Sequence, residues 1–251
     1  VVMFLIDDLG WNDFGCYGSR FYQTPTIDSL AHAGVLFTDG YAACTVSSPT
    51  RAALMTGKYP ARLHLTDWIA GWNYPWAKLR IPEWTKYLPL EEKTVAEYLK
   101  DSGYQTWHVG KWHLGDDEKY WPENQGFDVN IGGNYKGAPI KNKEGCNGYF
   151  SPYCLPRLEN GEEGEYLTDR LTDEAERLIE KQGDRPFFLN MSHYAVHTPL
   201  GAKPELERKY EALADSSYFH NNATYAAMIQ SVDESLNRIL EVLKRKGVLD
   251  N

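Results

Sequence analysis

The chain has 251 residues, with 26 Lys and Arg against 35 Asp and Glu, and its formal net charge is therefore −9. Apolar residues make up 42% and charged residues 24%, which excludes disorder, a collagen-like repeat and a coiled coil as the main state. We expect no membrane span, since no apolar run approaches about 20 residues. We also expect no general binding of nucleic acid, since acidic residues outnumber basic ones.

Strand and helix signals alternate along the chain. The predicted strands cover residues 1–6, 35–41, 104–109 and 186–191. Helix start and stop signals predict helices over residues 26–34, 49–57, 92–102, 166–182 and 222–246. This alternation predicts an α/β fold that has a mostly parallel sheet with helices on both faces.

The remaining segments have the composition of loops. Residues 58–90 are rich in Pro and Trp, and residues 115–160 in Gly, Asn and Pro, which favours long loops with short hairpins. Cys146 and Cys154 bracket the aromatic sequence CNGYFSPYC. Their spacing leaves both a disulfide and two free thiols open, and four cysteines in all are too few for a disulfide scaffold.

Charged and titratable side chains follow three of the predicted strands. Asp7 and Asp8 come directly after the first strand. Those that follow the strands at 104–109 and 186–191 are Lys111, His113, Ser192, His193 and His197. Because ligands of parallel sheets bind beyond the carboxyl ends of the strands, these residues predict an active site at that edge.

Each of these signals also has a purely structural interpretation. Asp7 and Asp8 repel each other, and this favours a hard divalent cation between them, but an acidic loop would show the same pair. Ser47 and Arg51 stand at a predicted helix N-terminus, where an anion is favoured, but an ordinary serine cap is as good an explanation.

The histidines divide in the same way. The sequence favours proton transfer for His113, with a helix or loop start as the alternative. His197 follows the strand at 186–191, and a simple loop exit before Pro199 explains it as well. His108 lies inside a predicted strand and His193 ends one, so we expect both to be packed structural residues. His32, His64 and His220 have no informative neighbours and are predicted at the surface.

Four motifs occur in order along most of the chain. They read VVMFLIDDLGWNDFGCYG, SSPTRAALMTG, GYQTWHVGKWHLG and FFLNMSHYAVHTPL. Together they resemble the type I sulfatases of the alkaline-phosphatase superfamily, whose first signature has a Cys or Ser at the position of Ser47. The resemblance implies an alkaline-phosphatase/sulfatase-like fold, and the order of four motifs is far more specific than any one of them.

The resemblance implies that Ser47 is oxidised after synthesis to formylglycine. One hydroxyl of its hydrate would attack the sulfur of a sulfate ester. The second hydroxyl would then lose its proton, so that sulfate is expelled. An unmodified serine lacks this second hydroxyl and could not perform the second step. The implied cofactor is Ca²⁺, with Mg²⁺ as the alternative, held by Asp7, Asp8 and the oxygen derived from Ser47.

The resemblance also implies a role for each remaining site residue. Arg51 would hold the hydrate, and Lys111 would bind the sulfate oxygens. His113 would deprotonate the hydrate, and His197 would protonate or hydrogen-bond the leaving alcohol, although the two histidine roles could be exchanged.

The chain departs from the family pattern in two respects. A later Ser-Asp-Asn-Gly strand with the remaining metal ligands, and a further sulfate-binding lysine, have no counterpart in residues 1–251. We therefore expect residues 1–251 to be an incomplete N-terminal catalytic domain that lacks the C-terminal subdomain. Position 47 is a Ser rather than a Cys, which resembles the bacterial enzymes of the family. This resemblance implies export to the periplasm or cell surface. It also implies a formylglycine-generating maturation enzyme as a partner.

The aromatic and amide residues of the loops at 67–87 and 116–153 suit sugar rings, although loop packing explains any single one of them. With the resemblance, they favour an exo-acting carbohydrate sulfatase whose substrate is a sulfated sugar or another sulfated small molecule. Two alternatives stay open. One is a phosphoesterase or phosphonate hydrolase of the same superfamily, and the other is a non-catalytic sulfate-binding relative in which Ser47 is unmodified.

Overall fold

The secondary structure is given by a computed structural model that describes residues 1–72, 74–143 and 145–250. The strands are β1 (Val2–Leu5), β2 (Gln105–Gly110), β3 (Val129–Ile131), β4 (Lys141–Lys143), β5 (Cys146–Asn147) and β6 (Phe187–Ser192). The helices are α1 (Pro25–Ala33), α2 (Ser47–Thr56), α3 (Pro60–Leu63), α4 (Val95–Asp101), α5 (Leu167–Lys181), α6 (Pro204–Leu213) and α7 (Ala223–Arg245). Short 3₁₀ helices lie at Gly15–Tyr17, Glu118–Tyr120 and Pro122–Asn124.

The main sheet has four strands in the order β1-β6-β2-β3, and every neighbouring pair is parallel. The central strand β6 pairs Leu189 with Val2 of β1 and Phe187 with Gln105 of β2. The prediction of a mostly parallel α/β fold is therefore confirmed. Because all four strands run in one direction, the residues that follow β1, β2 and β6 meet at one edge.

Helices cover both faces of this sheet, as the sequence predicts. Neighbouring residues of β6 point to opposite faces, so that Leu189 packs in the core formed with α5 and α7, which includes Leu171 and Ile239. Phe188 packs in the core on the other face, together with Met55 of α2. The sheet is thus buried on both sides, which explains why the residues of β6 are all buried and mostly apolar.

The five predicted helices and three of the four predicted strands are present, with small shifts at their ends. α4 begins later than predicted, because the Thr94 side chain accepts a hydrogen bond from the backbone of Glu97 and Glu97 caps Thr94 in return. α2 begins at Ser47, two residues earlier than predicted, with Val46 as its N-cap.

The strand predicted at 35–41 is wrong. These residues form no regular element, and Val35, Phe37 and Tyr41 are largely exposed. β1 is the last strand on its side of the sheet, and within the described residues this segment does not pair with its outer edge. Its apolar pattern would suit a strand, but a strand needs a neighbour for its hydrogen bonds.

Some elements were missed by the sequence patterns. α6 and β3 lie in segments that the sequence signals left as loops. β3 has only three residues, which is too short for a periodic signal. β4 and β5 form the kind of short hairpin expected between 115 and 160. Among the described helices, none combines the length and apolar composition needed to cross a bilayer.

Cys146 and Cys154 form a disulfide, which decides between the two alternatives that their spacing left open. Cys16 and Cys44 are free thiols. The bond closes the aromatic loop that carries Tyr149, a fully buried side chain at the edge of the active site described below.

Removal of this disulfide by a Cys146→Ser/Cys154→Ser double variant is expected to lower the free energy of unfolding by about 2–3 kcal/mol. The bond restrains the unfolded chain, and the short separation of 8 residues keeps the effect moderate. Urea denaturation of the native protein measures the loss, with Cys44→Ser as the control that removes a free thiol. Equal losses in the two variants would contradict a stabilising role of the bond.

Candidate active site

Asp7 lies just beyond β1 and is buried. Its backbone is hydrogen-bonded to Ala195 and Val196 in the segment after β6, at 2.9 and 2.7 Å. Its carboxylate accepts from Arg51 Nη2 at 2.7 Å and from Lys111 Nζ at 2.5 Å. Burial acts to raise the pKa of Asp7, but the charges and hydrogen bonds of Arg51 and Lys111 outweigh it and hold that pKa below its ordinary value. Asp7 is therefore an ionised, rigidly held carboxylate.

Arg51 connects most of the predicted site. It follows Ser47 by four residues on α2, so both side chains lie on the same helix face, and its Nε donates to Ser47 Oγ at 2.9 Å. Nη1 donates to Ser192 Oγ at 2.6 Å and to the carbonyl oxygen of Lys111 at 3.0 Å, while Nη2 holds Asp7. One guanidinium thereby sets the positions of α2 and of the ends of β1, β2 and β6.

Ser47 is the first residue of α2, so its side chain lies where the positive end of the helix dipole favours an anion. Its Oγ is 3.4 Å from His113 Nδ1. His113 Nε2 contacts the carbonyl oxygen of Ile69, which can only accept, so Nε2 carries the proton and Nδ1 presents its lone pair to Ser47. Burial and the neighbouring Lys111 charge lower the pKa of His113 to about 3. His113 is therefore neutral and able to take a proton from the group at position 47.

Lys111 follows β2 directly and is completely buried. Burial and the charge of Arg51 lower its pKa to about 8, against the opposing effect of Asp7. A glycine is required before it: Gly110 has a φ of +106°, and a Cβ there would stand 1.9 Å from the carbonyl oxygen of Ser192. This close approach of two strand ends lets the Lys111 amide donate to the same carbonyl at 2.7 Å.

Asp8 differs sharply from Asp7, because its side chain is 53% exposed and its backbone is left-handed, with a φ of 58°. His197 Nε2 lies 3.5 Å from its carboxylate. One ligand atom from each of Asp7, Asp8 and His197 lies within 4.8 Å of the others. Two carboxylates this close form a donor set that a hard divalent cation takes, and Arg51 holds Ser47 Oγ beside the same Asp7.

The loop that carries His197 is hydrogen-bonded to the loop that the disulfide closes. The hydroxyl of Tyr149 lies 2.7 and 2.8 Å from the carbonyl oxygens of His197 and Tyr194. His197 Nδ1 lies 2.5 Å from the carbonyl oxygen of Thr198, so this nitrogen donates and Nε2 faces the site. The sequence patterns gave no sign of this role of Tyr149, nor of the contact between Ser192 and Arg51.

A cavity of about 660 Å³ opens beside these residues, and His113 and His197 both line it. Its other walls include Trp68, Tyr135, Asp116 and Lys136. The described wall does not include Lys111, which is bonded to Asp7 and fully buried. A larger groove of about 1230 Å³ lies between α1 and α7, but none of the predicted site residues borders it. We therefore regard the smaller cavity as the candidate ligand pocket.

The structural interpretation of His108 and His193 is confirmed. Both are completely buried, and burial lowers both pKa values to about 3. His108 is held by hydrogen bonds to the Gly110 carbonyl and the Asn190 side chain, at 3.0 and 2.9 Å. His193 Nε2 lies 3.0 Å from Ser235 Oγ on α7.

Of the three histidines predicted at the surface, His32 and His64 are exposed, but the prediction for His220 is wrong. His220 is buried, its ring stacks on Tyr22 with centroids 4.6 Å apart, and its Nε2 lies 3.4 Å from Asp13. The partners precede it by about two hundred residues, so local sequence carried no signal of this burial.

Comparison with known proteins identifies the family of the chain. The family profile described as "Sulfatase" matches residues 1–251. N-acetylgalactosamine-6-sulfatase of Homo sapiens is 32% identical over 265 residues, which cover 100% of this chain and 48% of the relative. The uncharacterized sulfatase YdeN of Escherichia coli is 33% identical over 257 residues, covering 91% of this chain and 41% of the relative.

Among solved structures, Ps i-CgsB in complex with k-i-k-neocarrahexaose has a TM-score of 0.79 and 30% identity, covering all of this chain and 56% of the neighbour. The chain thus spans about half the length of the curated relatives that it matches. The profile match extends over every residue, and the relatives share the parallel α/β architecture. The chain therefore belongs to the sulfatase family.

Proposed function

We propose that the protein carrying this chain hydrolyses sulfate esters and that position 47 supplies the nucleophilic oxygen. The observation that supports this most strongly is the position of Ser47 Oγ, which lies 2.9 Å from Arg51 Nε and 3.4 Å from the unprotonated nitrogen of His113. An oxygen between a fixed cation and a neutral base is well arranged to lose a proton and attack.

Oxidation of Ser47 to formylglycine, which is hydrated, would provide the second hydroxyl needed to expel sulfate. Arg51 fixes the oxygen at position 47. Lys111 binds sulfate oxygens, for which its ammonium group has to turn from Asp7 toward the cavity. His113 takes the proton when sulfate is expelled, in keeping with its tautomer and with its contact with Ser47 Oγ. His197 borders the cavity and, as the imidazolium form with protons on both ring nitrogens, gives the proton on Nε2 to the leaving alcohol.

Asp7 and Asp8, with the oxygen at position 47, would hold a divalent cation, which we propose to be Ca²⁺, with Mg²⁺ as the alternative. The bound cation would lower the pKa of the coordinated hydroxyl and offset the sulfate charge. The ionised state of Asp7 and its short distance from Asp8 and His197 support this assignment.

The substrate that we propose is a sulfated sugar, cleaved by an exo-acting enzyme. The size of the cavity and its aromatic side chains Trp68 and Tyr135 suit one sugar ring. A relative named N-acetylgalactosamine-6-sulfatase and a structural neighbour in complex with a neocarrahexaose support a carbohydrate. The second candidate, a phosphoester or phosphonate, has weaker support: the phosphonate monoester hydrolase of Agrobacterium radiobacter is 19% identical with a TM-score of 0.63, a similarity that shows the fold alone.

Direct comparison of substrates tests this function. The native protein, purified from its host, is expected to hydrolyse an aryl sulfate much faster than the aryl phosphate with the same leaving group. A preference for the phosphate would favour the phosphoesterase alternative. Turnover of neither ester, nor of sulfated monosaccharides, would favour the non-catalytic alternative with an unmodified Ser47.

We further propose that residues 1–251 form the N-terminal catalytic region and that additional metal ligands come from outside them. The exposed apolar side chains of residues 35–41 and the free outer edge of β1, as far as the chain is described, support a missing neighbour there. The Cys146–Cys154 disulfide supports export to an oxidising compartment, the periplasm or cell surface. A formylglycine-generating enzyme is the proposed partner.

His197→Ala is expected to slow hydrolysis of sugar sulfates by about 10²–10⁴-fold, because these have poor leaving groups that need a proton. The loss for an activated aryl sulfate should be much smaller. Measurement of kcat/KM for both substrates tests this difference, with the exposed His32→Ala as the control. Equal losses for the two substrates would contradict the role of His197 as the acid.

A further inference from the structure

The two adjacent acids of the site are held in very different ways. Asp7 has both carboxylate oxygens bonded to buried cations. Among the described residues, the Asp8 carboxylate has only the 3.5 Å contact with His197, and its backbone adopts a left-handed φ of 58°. The direction of the Asp8 side chain therefore depends on the backbone on either side of it, which Asp7 anchors before it and the loop of residues 8–13 holds after it.

That loop is closed by a single buried carboxylate. Asp13 Oδ2 accepts a hydrogen bond from the amide of Gly10 at 2.8 Å, and the amide of Asp13 donates to the carbonyl of Gly10 at 3.2 Å. A Cβ on Gly10 would stand 2.6 Å from the same Oδ2, so a larger residue there would displace this carboxylate. Asp13 thus fixes a tight turn only two residues beyond Asp8.

Asp13 is in turn bonded to the start of α7. Tyr225 lies in the first turn of that helix, and its hydroxyl donates to Asp13 Oδ2 at 2.6 Å and lies 3.5 Å from the carbonyl oxygen of Asp8. Burial, followed by the hydrogen bond and charge of Asp13, raises the pKa of Tyr225, so the hydroxyl stays protonated and remains a donor. The tyrosine therefore contacts both ends of the loop.

Two rings complete this arrangement. His220 Nε2 lies 3.4 Å from Asp13 Oδ1, and Tyr22 stacks on His220 and meets Tyr225 edge to face, with centroids 5.5 Å apart. These four residues, of which three are buried and Tyr225 is partly buried, are called the Asp13 bracket: Asp13, Tyr22, His220 and Tyr225. None of its side chains is needed for the proposed chemistry at Ser47.

We propose that the Asp13 bracket positions the Asp8 carboxylate for the divalent cation, so that Tyr225 and Asp13 act as positioning residues for metal binding. This inference rests on the proposed cation at Asp7 and Asp8. Outer groups that orient metal ligands change metal affinity by about 10–100-fold when they are removed. Here the orienting groups act through the backbone of residues 8–13 rather than by direct contact with the ligand oxygen.

The test is calorimetric titration of Ca²⁺ into the metal-stripped native protein. Tyr225→Phe keeps the ring and removes only the hydroxyl, and it is expected to weaken Ca²⁺ binding by about 10-fold or more. Asp13→Ala should weaken it further, while Asp13→Asn, which keeps an acceptor for Gly10 and Tyr225, should recover most of the affinity. The matched control is Tyr153→Phe, which removes a buried tyrosine hydroxyl bonded to the Glu165 carbonyl at 3.0 Å.

Thermal unfolding in the presence of a chelator, which removes bound metal, measures how much each variant changes the stability of the fold itself. If Tyr225→Phe and Tyr153→Phe both lower the unfolding temperature and neither changes the Ca²⁺ affinity, the bracket is merely structural and the inference is overturned. Asp8→Asn tests whether the proposed metal site exists at all, which distinguishes failure of this inference from failure of the proposed function. If the wild type binds neither Ca²⁺ nor Mg²⁺ in a manner that depends on Asp8, the proposed metal site falls, and the inference falls with it.

Discussion

Asp7→Asn is expected to destabilise the fold by about 3–5 kcal/mol, because it leaves the buried cations of Arg51 and Lys111 without their shared counter-charge. Asp8→Asn makes the same chemical change at a side chain that is 53% exposed. Asparagine also tolerates a left-handed backbone, so this variant should stay within about 0.5 kcal/mol of the wild type. The two variants therefore form a matched pair, in which the same substitution is made at a buried and at an exposed carboxylate.

Urea denaturation of the metal-stripped protein measures both effects without any contribution from a bound cation. Both variants are then expected to lose Ca²⁺ affinity when metal is added. Similar free energies of unfolding for the two variants would show that Asp7 is not the buried counter-charge that holds Arg51 and Lys111 together.

Ser47→Ala is expected to reduce kcat by a factor on the order of 10⁶, since it removes the atom that we propose to attack sulfur. The fold should change little, because Ser47 Oγ accepts one hydrogen bond from Arg51, whose other donors keep their partners. The control is Ser29→Ala on the exposed side of α1. Turnover with purified Ser47→Ala that stays within tenfold of the wild type would exclude position 47 as the nucleophile.

The sheet and the edge that carries the site could be predicted from the sequence because they follow from local patterns. Continuous apolar runs identify strands buried on both faces, and parallel strands bring Asp7 and Lys111 to one edge. The four-residue spacing of Ser47 and Arg51 likewise places both on one face of α2. In each case the information lies within a few neighbouring residues.

The rest of the arrangement depends on contacts between distant parts of the chain. The bond between Tyr225 and Asp13 joins residues 212 positions apart, and the bond between Arg51 and Ser192 joins residues 141 apart. No pattern in a single sequence reports such pairs. His220 was predicted at the surface for the same reason, since its burial is caused by Tyr22 and Asp13.

Residues 35–41 illustrate a different limit. Their composition favours a strand, but β-structure forms only where a second strand offers its hydrogen bonds. In the described chain the segment pairs with no strand, and most of its large apolar side chains stay exposed. The local composition indicates a preference for a β-strand. It does not determine whether a second strand pairs with these residues.

The central claim, that the oxygen at position 47 comes from an oxidised serine, is tested most directly by mass spectrometry of the peptide that contains Ser47, isolated from native host protein. The account predicts a peptide lighter by two hydrogens than the encoded sequence, or its hydrate, and a reaction of this peptide with an aldehyde-specific hydrazine. An unmodified serine at position 47 in catalytically active protein would contradict it.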